Sequence, residues 1–164
     1  MDIRRLVPPD GALYREIRLE ALRSEPEAFG SAFEAESAQP VNWHAERLGN
    51  SNMFGAFDGD ELVGIAGLLT TDRKKEAHKG LLVAMYVRPS SRRAGVGSQL
   101  VEAIIEFAHG KVELIQLAVV SENKQAIRLY ARHGFVEYGL EKKALKQDGR
   151  YYDEVHMAKD LGAA

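Results

Sequence analysis

The sequence predicts a mixed α/β protein whose central sheet is antiparallel in its first half, contains one central pair of parallel strands and is flanked by helices. Three patterns indicate this fold. Residues 53–70 have the pattern of a β-hairpin, the apolar runs LLVAMYV (81–87) and VELIQLAVV (112–120) enclose an amphipathic helical pattern, and the tail alternates apolar and polar residues.

The first third of the chain combines one strand with two helices. DIRRLV alternates as a strand does, and residues 8–26 have apolar positions at helical spacing between prolines that suit the start and the stop of a helix. A second short helix is expected after Pro40, through Trp43 and Leu48. The stretch AFGSAFEAESAQP between the two helices has no sustained period.

A β-hairpin is expected next, because two β-rich runs flank Asp58-Gly59 and glycine supplies the positive φ that a tight turn needs. The run LLVAMYV that follows has the composition of a strand covered on both faces. The next segment places one apolar stripe on a helix, and VELIQLAVV predicts another buried strand parallel to the first. The stripe consists of Leu100, Val101, Ile104, Ile105 and Ala108.

The last part of the chain contains a helix and two more strands. NKQAIRLYARHGF predicts a helix closed by Gly134, and FVEYGL and DEVHMAKDL alternate as strands. The sequence has no repeats and no low-complexity linker. One domain over residues 1–164 is therefore expected.

Composition excludes several classes of function. With 45% hydrophobic and 28% charged residues the chain has the balance of a globular protein, and a net charge of −2 lacks the basic excess that nucleic-acid binding requires. The chain has 0 cysteines, which excludes disulfides, thiolate metal sites and a covalent cysteine intermediate. No apolar run approaches the roughly 20 residues of a membrane span, and no signal peptide is evident, so a cytoplasmic location without membrane contact is expected.

The segment RRAGVG (92–97) at the start of the predicted helix indicates an anion site. Glycines allow close backbone approach, and unpaired amides at a helix start attract phosphate oxygens. A P-loop is excluded because Gly97 is followed by Ser98-Gln99, and a dinucleotide fingerprint fits poorly because Leu100 stands where a third glycine belongs. The alternative is a glycine-rich turn with two solvated arginines.

Two motifs identify a family resemblance over nearly the whole chain. YVRPSSRRAGVGSQLVEAI resembles the acyl-CoA binding motif of the GCN5-related N-acetyltransferases (GNAT superfamily), with Arg92, Gly95 and Gly97 at the motif positions. LAVVSENKQAIRLYARHGFVEYG is similar to the second signature of the family, with Asn123 and Tyr130 before the Gly-Phe pair. The resemblance implies the acyl-CoA N-acyltransferase fold, with acetyl-CoA as cosubstrate.

The resemblance also implies where acetyl-CoA binds. Its pyrophosphate would take the amides of a turn, and its pantetheine arm would pair with the backbone of a strand. On chemical grounds, a backbone N–H of the same strand can stabilise the oxyanion without a side chain. Asn123 would contact the cofactor arm, or act only as a helix N-cap. The implied binding residues, Asn123 included, are Met85, Tyr86, Val87, Arg92, Arg93, Ala94, Gly95, Val96, Gly97, Ser98 and Asn123.

For catalysis the resemblance nominates Tyr130 as the acid for the departing thiolate, the alternative being a core aromatic on an amphipathic helix. Many family members carry a glutamate on the central strand as base, but KGLLVAMYV has none. His78 and Glu34 lead the remaining candidates, although each could be a solvated charge. Without cysteine, direct attack by the amine in a ternary complex is expected.

The acceptor is predicted to be a small molecule with a primary amine, with a protein or peptide amine as the alternative. The basic and aromatic residues of the stretch 142–152 could bind its anionic group or form a solvated hairpin. No histidine has metal-ligand spacing, so no metal is expected. The rival hypothesis is a non-catalytic acyl-CoA sensor, and the exposed last strand could pair in a homodimer.

Overall fold

The computed structural model describes residues 1–163, and its centre is a seven-stranded sheet of order β1-β2-β3-β4-β5-β7-β6. The strands are β1 (Asp2–Arg5), β2 (Asn52–Asp58), β3 (Glu61–Thr70), β4 (Lys79–Val87), β5 (Leu114–Val120), β6 (Val136–Gln147) and β7 (Arg150–Asp160). The mixed α/β class predicted from the sequence is confirmed.

Five α-helices accompany the sheet within the described residues, and short 3₁₀ helices connect some of the elements. The helices are α1 (Gly11–Ser24), α2 (Phe33–Ser37), α3 (Val41–Gly49), α4 (Val96–Ala108) and α5 (Lys124–Arg132). The predicted helices after Pro40 and around the apolar stripe are confirmed as α3 and α4. The predicted end of α5 is also confirmed, because Gly134 follows it with a φ of 89°.

Strand pairing agrees with the predicted topology and adds one feature. The first four strands pair antiparallel in chain order, and β4 pairs parallel with β5. The chain then inserts β7 between β5 and β6, with antiparallel pairing on both sides. No local pattern distinguishes a strand that pairs with β5 from one that pairs only with its hairpin partner, so the sequence did not predict this insertion.

Each face of the sheet has its own core. On one face α4 inserts the predicted stripe, and Leu100, Val101 and Ile104 are fully buried beside Leu117 of β5. On the other face Ile17 of α1 packs against the first half of the sheet. Burial of apolar surface stabilises a fold by about 25 cal/mol for each Å². Because α1 and α4 bury their apolar side chains against opposite faces, both helices stabilise the sheet.

One expectation was wrong, and one stretch for which the sequence predicted no element is partly helical. The stretch without a sustained period (28–40) contains the short helix α2, and it begins at the last residue of the 3₁₀ helix Pro26–Ala28. The run LLVAMYV is not covered on both faces, because Leu81 is exposed and Val83, Ala84 and Met85 are only half-buried. Apolar side chains occur there without full burial because a cavity lies alongside the strand.

The helices among residues 1–163 are too short or too polar to cross a membrane. The first strand of the sheet begins at Asp2 and the last strand ends at Asp160, so the sheet includes segments from nearly the whole chain. The assignment of residues 1–164 to a single domain stays a prediction, and Ala164 lies outside the described residues.

Candidate active site

The parallel strands β4 and β5 separate after a short stretch of pairing. Only Lys79–Leu81 pairs with Leu114–Gln116, and beyond these residues the two strands diverge. A cavity of about 460 Å³ opens between them. Open α/β sheets bind ligands at such a position, outside the carboxyl ends of parallel strands.

Most of the sequence-predicted binding residues lie around this cavity. The N-terminus of α4 forms one side, β4 and β5 form the walls, and the start of α5 completes it. Among the residues nominated from the sequence, those lining the cavity are Met85, Tyr86, Val87, Arg92, Arg93, Gly95, Val96, Gly97, Ser98, Asn123 and Tyr130. Ala94 is exposed in the turn beside the cavity and does not line it.

The start of α4 provides unpaired backbone amides at the cavity. Gly95 is the N-cap residue with a φ of 77°, and no side chain caps the helix. The first amide bonded back along the chain is that of Gln99, which donates to the Gly95 carbonyl at 3.0 Å. The amides of Val96, Gly97 and Ser98 therefore remain for an anion, and the dipole of this 13-residue helix favours one.

The two arginines before the helix have different environments. Arg92 donates from Nε to the Val87 carbonyl at 2.9 Å, and its Nη2 lies 2.5 Å from Glu25 Oε1. Arg93 has a φ of 71° and an exposed side chain that lines the cavity. Arg92 thus ties the turn to β4 and to the segment after α1, while Arg93 is the arginine available to a bound anion.

An irregularity in β4 shapes the cavity wall. The register with β3 shifts between Ile65 and Gly67, and opposite this shift Ala84 has a φ of 59°. Positive φ in a residue other than glycine costs about 1–2 kcal/mol and occurs often at functional sites. The bulge lies in the part of β4 that β5 no longer pairs with, and Ala84 and Met85 both line the cavity there.

Tyr130 is buried in the wall of the cavity. Its side chain is 5% exposed, and its ring packs edge-on against Phe135 with the centroids 5.8 Å apart. Burial raises the pKa of the phenol above its ordinary value. The hydroxyl therefore keeps its proton throughout the physiological range, so that it can donate a hydrogen bond into the cavity.

Asn123 caps α5 and also lines the cavity. Its Oδ1 accepts a hydrogen bond from the Ala126 amide at 3.1 Å, which leaves the side-chain NH₂ available to a ligand. On the opposite side, Ser98 Oγ lies 2.6 Å from His133 Nε2 and joins α4 to the end of α5. These two contacts fix the helices that border the cavity.

The structure does not bring the two nominated bases to the cavity. His78 precedes β4 and its carbonyl accepts the amide of Glu113, so it lies at the opposite end of the strand, roughly 20 Å from Met85 at about 3.3 Å per residue. Glu34 is exposed on α2 and does not line the cavity. Both residues were nominated for their positions in the chain. The direction of β4 places His78 at the far end of the strand, and α2 places Glu34 outside the cavity.

Sequence reasoning missed several residues that line the cavity, including two in the segment after α1. Glu25 and Phe29 flank the 3₁₀ helix Pro26–Ala28 and line the cavity beside β4. Glu25 lies at the end of the predicted first helix and Phe29 lies in the stretch without a sustained period, so nothing in the sequence distinguished them from surface residues. Within residues 1–163, no group of three or more histidine, aspartate or glutamate side chains is placed to hold a metal ion.

The β6–β7 hairpin carries charges that largely satisfy one another. Arg150 pairs with Glu122, Lys142 lies 3.8 Å from Asp153, and Lys143 sits over the ring of Tyr151 at 4.6 Å. All three basic side chains are exposed. These contacts support the alternative of a solvated hairpin more than that of an anion-binding loop.

Known proteins with related sequences are acetyltransferases. The chain is 28% identical to the L-amino acid N-acetyltransferase AaaT of Escherichia coli, over 89% of this chain and 91% of that protein. It is 30% identical to the N-alpha-acetyltransferase RimI of Mycobacterium tuberculosis, over 80% of this chain and 75% of that protein. Both similarities therefore extend over most of the chain and are not confined to one motif.

Solved structures give the same result at the level of the fold. A GNAT-family acetyltransferase from Streptococcus pneumoniae matches with a TM-score of 0.86 and 25% identity, over 98% of this chain and 99% of that one. The family model described as acetyltransferase (GNAT) family matches residues 15–135, a stretch that contains both motifs up to the Gly-Phe pair. The chain therefore belongs to the GNAT family of acetyltransferases and is an acyltransferase with acetyl-CoA as its cosubstrate.

Proposed function

We propose that the protein transfers the acetyl group of acetyl-CoA to the primary amine of a small molecule, by direct attack of the amine while both substrates are bound. The observation that carries this proposal is the cavity between β4 and β5, with the uncapped start of α4 at one side and Tyr130 in its wall. A turn that only binds phosphate would need the uncapped start of α4 but would not need Tyr130.

The arrangement of the cavity suggests how acetyl-CoA lies in it. The pyrophosphate takes the free amides at the start of α4, with Arg93 nearby as a counter-charge. The pantetheine arm runs along β4, where the backbone near Met85 and Val87 has lost its β5 partner. Asn123 offers its side-chain NH₂ from the other side of the cavity. This orientation points the thioester toward the place where the strands begin to diverge.

The reaction makes three demands on the protein: a neutral amine, stabilisation of the oxyanion and stabilisation of the departing sulfur. A backbone N–H of β4 beside the opening supplies the second without any side chain. The pKa of Tyr130, raised by burial, lies above the pKa of about 8.5 of a thiol, so complete proton transfer to the free thiolate is uphill. Tyr130 therefore acts chiefly as a hydrogen-bond donor to the sulfur while its negative charge develops.

Direct attack is supported by the composition of the chain. With 0 cysteines the protein has no thiol on which the acetyl group could rest between two half-reactions. Initial-rate measurements should give intersecting double-reciprocal lines. Parallel lines together with an isolated acetyl-enzyme would contradict direct attack.

The relatives favour two classes of acceptor. The relative aligned over most of both chains is named for L-amino acids, which supports a small molecule with an α-amine. The second relative is named as an N-alpha-acetyltransferase, and this supports a peptide N-terminus as the second candidate. Both acceptors present an ammonium group, so the same cavity chemistry serves either.

The test combines calorimetry with an assay of free thiol release. The protein should bind acetyl-CoA, and should release thiol when the panel of amino acids, other small amines and short peptides contains an acceptor. Release with small amines supports the first candidate, and release with peptides alone supports the second. Binding without release for any acceptor would favour a non-catalytic acyl-CoA sensor. The cytoplasmic location and the homodimer stay predictions.

A further inference from the structure

One part of the sheet beside the cavity lacks a helical cover. Val155 and Met157 of β7 are buried in the core under α4, so Glu154 and His156 point to the opposite face. On that face α1 packs over the first half of the sheet, whereas β5 and β6 are contacted by the short 3₁₀ helix Pro26–Ala28. This face of β5 and β7, beside the short helix, is called the groove.

The groove joins the cavity through β5. Leu117 and Val119 belong to the core under α4, so Ala118 and Val120 face the groove, and both line the cavity. Strand register places His156 opposite Ala118 and Glu154 opposite Val120. Directly opposed residues in an antiparallel pair have Cβ atoms about 4.5–5.5 Å apart on the same face. Glu154 is thus one cross-strand step from the cavity wall.

The surroundings of Glu154 differ from those of the other acidic residues nearby. Glu154 is half-buried, and no hydrogen bond or ion pair engages its carboxylate within residues 1–163. Glu25 is paired with Arg92, and Glu141 lies 3.6 Å from His156 Nε2. Burial and then the charge of Glu141 raise the pKa of Glu154, while His156 lowers it. A carboxylate without a partner, next to a substrate cavity, is available to take a proton.

We propose that Glu154 is the general base of the transfer: it accepts a proton from the ammonium of the acceptor, which lies in the groove over Ala118 and Val120. This inference rests on the proposed function. Glu154 provides the general base, which neither His78 nor Glu34 can provide because both lie away from the cavity. His156 is the less suitable neighbour because its ring is directed toward β6, against Glu141 and the ring of Tyr138.

The proton balance of the step is complete. Glu154 removes one proton from the ammonium and leaves a neutral amine, whose lone pair forms the N–C bond to the thioester carbonyl. The C–S bond then breaks. The nitrogen loses a second proton, one proton ends on the CoA sulfur, and one is released to solvent. An alkyl ammonium has a reference pKa of about 10.4, so without a base only a small fraction of acceptor is nucleophilic at neutral pH.

The test compares the isosteric variant Glu154→Gln with Glu137→Gln, a glutamate on β6 that is exposed and opposes the core residue Met157. With an alkyl amine as acceptor, Glu154→Gln should lower kcat/KM by about 10²–10⁴-fold, the usual range for loss of a general base. Affinity for CoA should be unchanged in both variants, and Glu137→Gln should keep wild-type turnover. An acceptor of low basicity, such as an aryl amine, is already neutral at pH 7 and should largely escape the loss.

A pH profile adds a readout that a structural role would not move. In the wild type, kcat/KM should fall at acid pH as Glu154 takes its proton, with Glu141 and His156 as the titratable groups that affect it. The variant Glu141→Gln should shift this acid limb to lower pH, because it removes a charge that raises the pKa of Glu154. This second variant keeps the test valid if Glu154→Gln does not fold.

The outcomes separate the two proposals. Loss of turnover in Glu154→Gln with rescue by the weakly basic amine supports the inference. Wild-type turnover in Glu154→Gln overturns it and leaves the proposed function intact, as does an equal loss for both amines. Loss confined to His156→Gln also overturns it and moves the role to His156. No thiol release by the wild type with any amine overturns the proposed function and the inference together.

Discussion

Arg92 and Glu25 form an ion pair across the mouth of the cavity, with Nη2 and Oε1 2.5 Å apart. Arg92 belongs to the glycine turn before α4, and Glu25 immediately follows α1. The same guanidinium donates to the Val87 carbonyl at 2.9 Å. Arg92 therefore connects the turn before α4 to two other elements of the cavity, which favours a positioning role.

The positioning role of Arg92 predicts that charge alone will not replace it. Arg92→Lys should weaken acetyl-CoA binding nearly as much as Arg92→Ala, by about tenfold, because an ammonium cannot reproduce two directed hydrogen bonds. Calorimetry measures the Kd. Arg93→Lys is the matched control, and it should bind almost normally since Arg93 offers charge from an exposed side chain. Full affinity in Arg92→Lys would show that only charge matters.

The parts of the site that could be predicted are those whose residues lie close together in the sequence. The turn at α4 and the helix bearing Tyr130 are local features, with glycine spacing and a helical period, and both were predicted. Glu25 reaches Arg92 from 67 residues away in the chain. Glu154 lies one cross-strand step from the cavity wall only because β7 enters between β5 and β6. Such contacts depend on strand order and register, which a local pattern does not encode.

The glycine at the start of α4 should be needed for ligand binding and not for folding. Gly95 has a φ of 77°, and a Cβ added to it would meet no other atom within 4 Å. A side chain at this position would therefore strain the backbone but would not clash with its surroundings. Gly95→Val should cost about 1–3 kcal/mol of stability from the backbone conformation. By displacing the free amides it should also raise the Kd of CoA and of acetyl-CoA at least tenfold.

The other end of α4 supplies the control for Gly95. Gly110 has a φ of 79° and equally open surroundings, about 20 Å away along the 13-residue helix. Gly110→Val should lower Tm by a similar amount and leave CoA affinity unchanged. If the two variants lost affinity equally, the amides at the start of α4 would not be the anion site.

The buried phenol of Tyr130 predicts a loss confined to the chemical step. Tyr130→Phe should lower kcat by about 10–100-fold, because a hydrogen bond made to the developing charge is lost, while the Kd of acetyl-CoA stays near the wild-type value. Stopped-time thiol release and calorimetry measure the two quantities. Tyr14→Phe, which removes the hydroxyl of another buried tyrosine outside the cavity, should leave both unchanged. Unaltered kcat in Tyr130→Phe would make Tyr130 a core aromatic.

His44 predicts a loss of stability in acid. The ring is fully buried; Nδ1 donates to the Pro40 carbonyl at 3.1 Å, and Nε2 has no hydrogen-bond partner among residues 1–163. Burial lowers the pKa of His44, with Arg15, Arg47, Tyr14 and Glu36 as the titratable groups around it. As the pH falls through about 6.5, His44 therefore takes up a proton in the unfolded chain but resists protonation in the folded protein. The stability that the neutral, buried His44 contributes is present above that pH and is lost as the pH falls.

Chemical unfolding at about pH 7.5 and about pH 5.5, on either side of the ordinary histidine pKa, measures the effect of His44. The free energy of unfolding of the wild type should decrease between these two pH values, and the decrease should be smaller in His44→Leu. His109→Leu changes an exposed histidine and should retain the decrease of the wild type. An identical decrease in all three proteins would assign the acid sensitivity to other groups.

The helix that sequence periodicity missed, α2, is held by a buried ion pair. Arg18 of α1 donates from Nε and Nη2 to the two carboxylate oxygens of Glu36, at 3.0 and 3.1 Å, and the residues are 6% and 5% exposed. Although burial opposes ionisation, the hydrogen bonds and charge of Arg18 keep the pKa of Glu36 below its ordinary value. The carboxylate is thus ionised at neutral pH and depends on its partner.

Removal of one partner should destabilise the protein more than removal of both. Glu36→Ala leaves the Arg18 charge buried without a counter-ion and should cost about 3–5 kcal/mol, whereas the pair Arg18→Met with Glu36→Leu should recover much of that loss. Glu34→Ala on the exposed side of the same helix should change stability by about 0.5 kcal/mol or less. Chemical denaturation of the wild type and these variants measures the coupling. Additive losses would mean that the two side chains act independently, and contacts other than this ion pair would then have to hold α2.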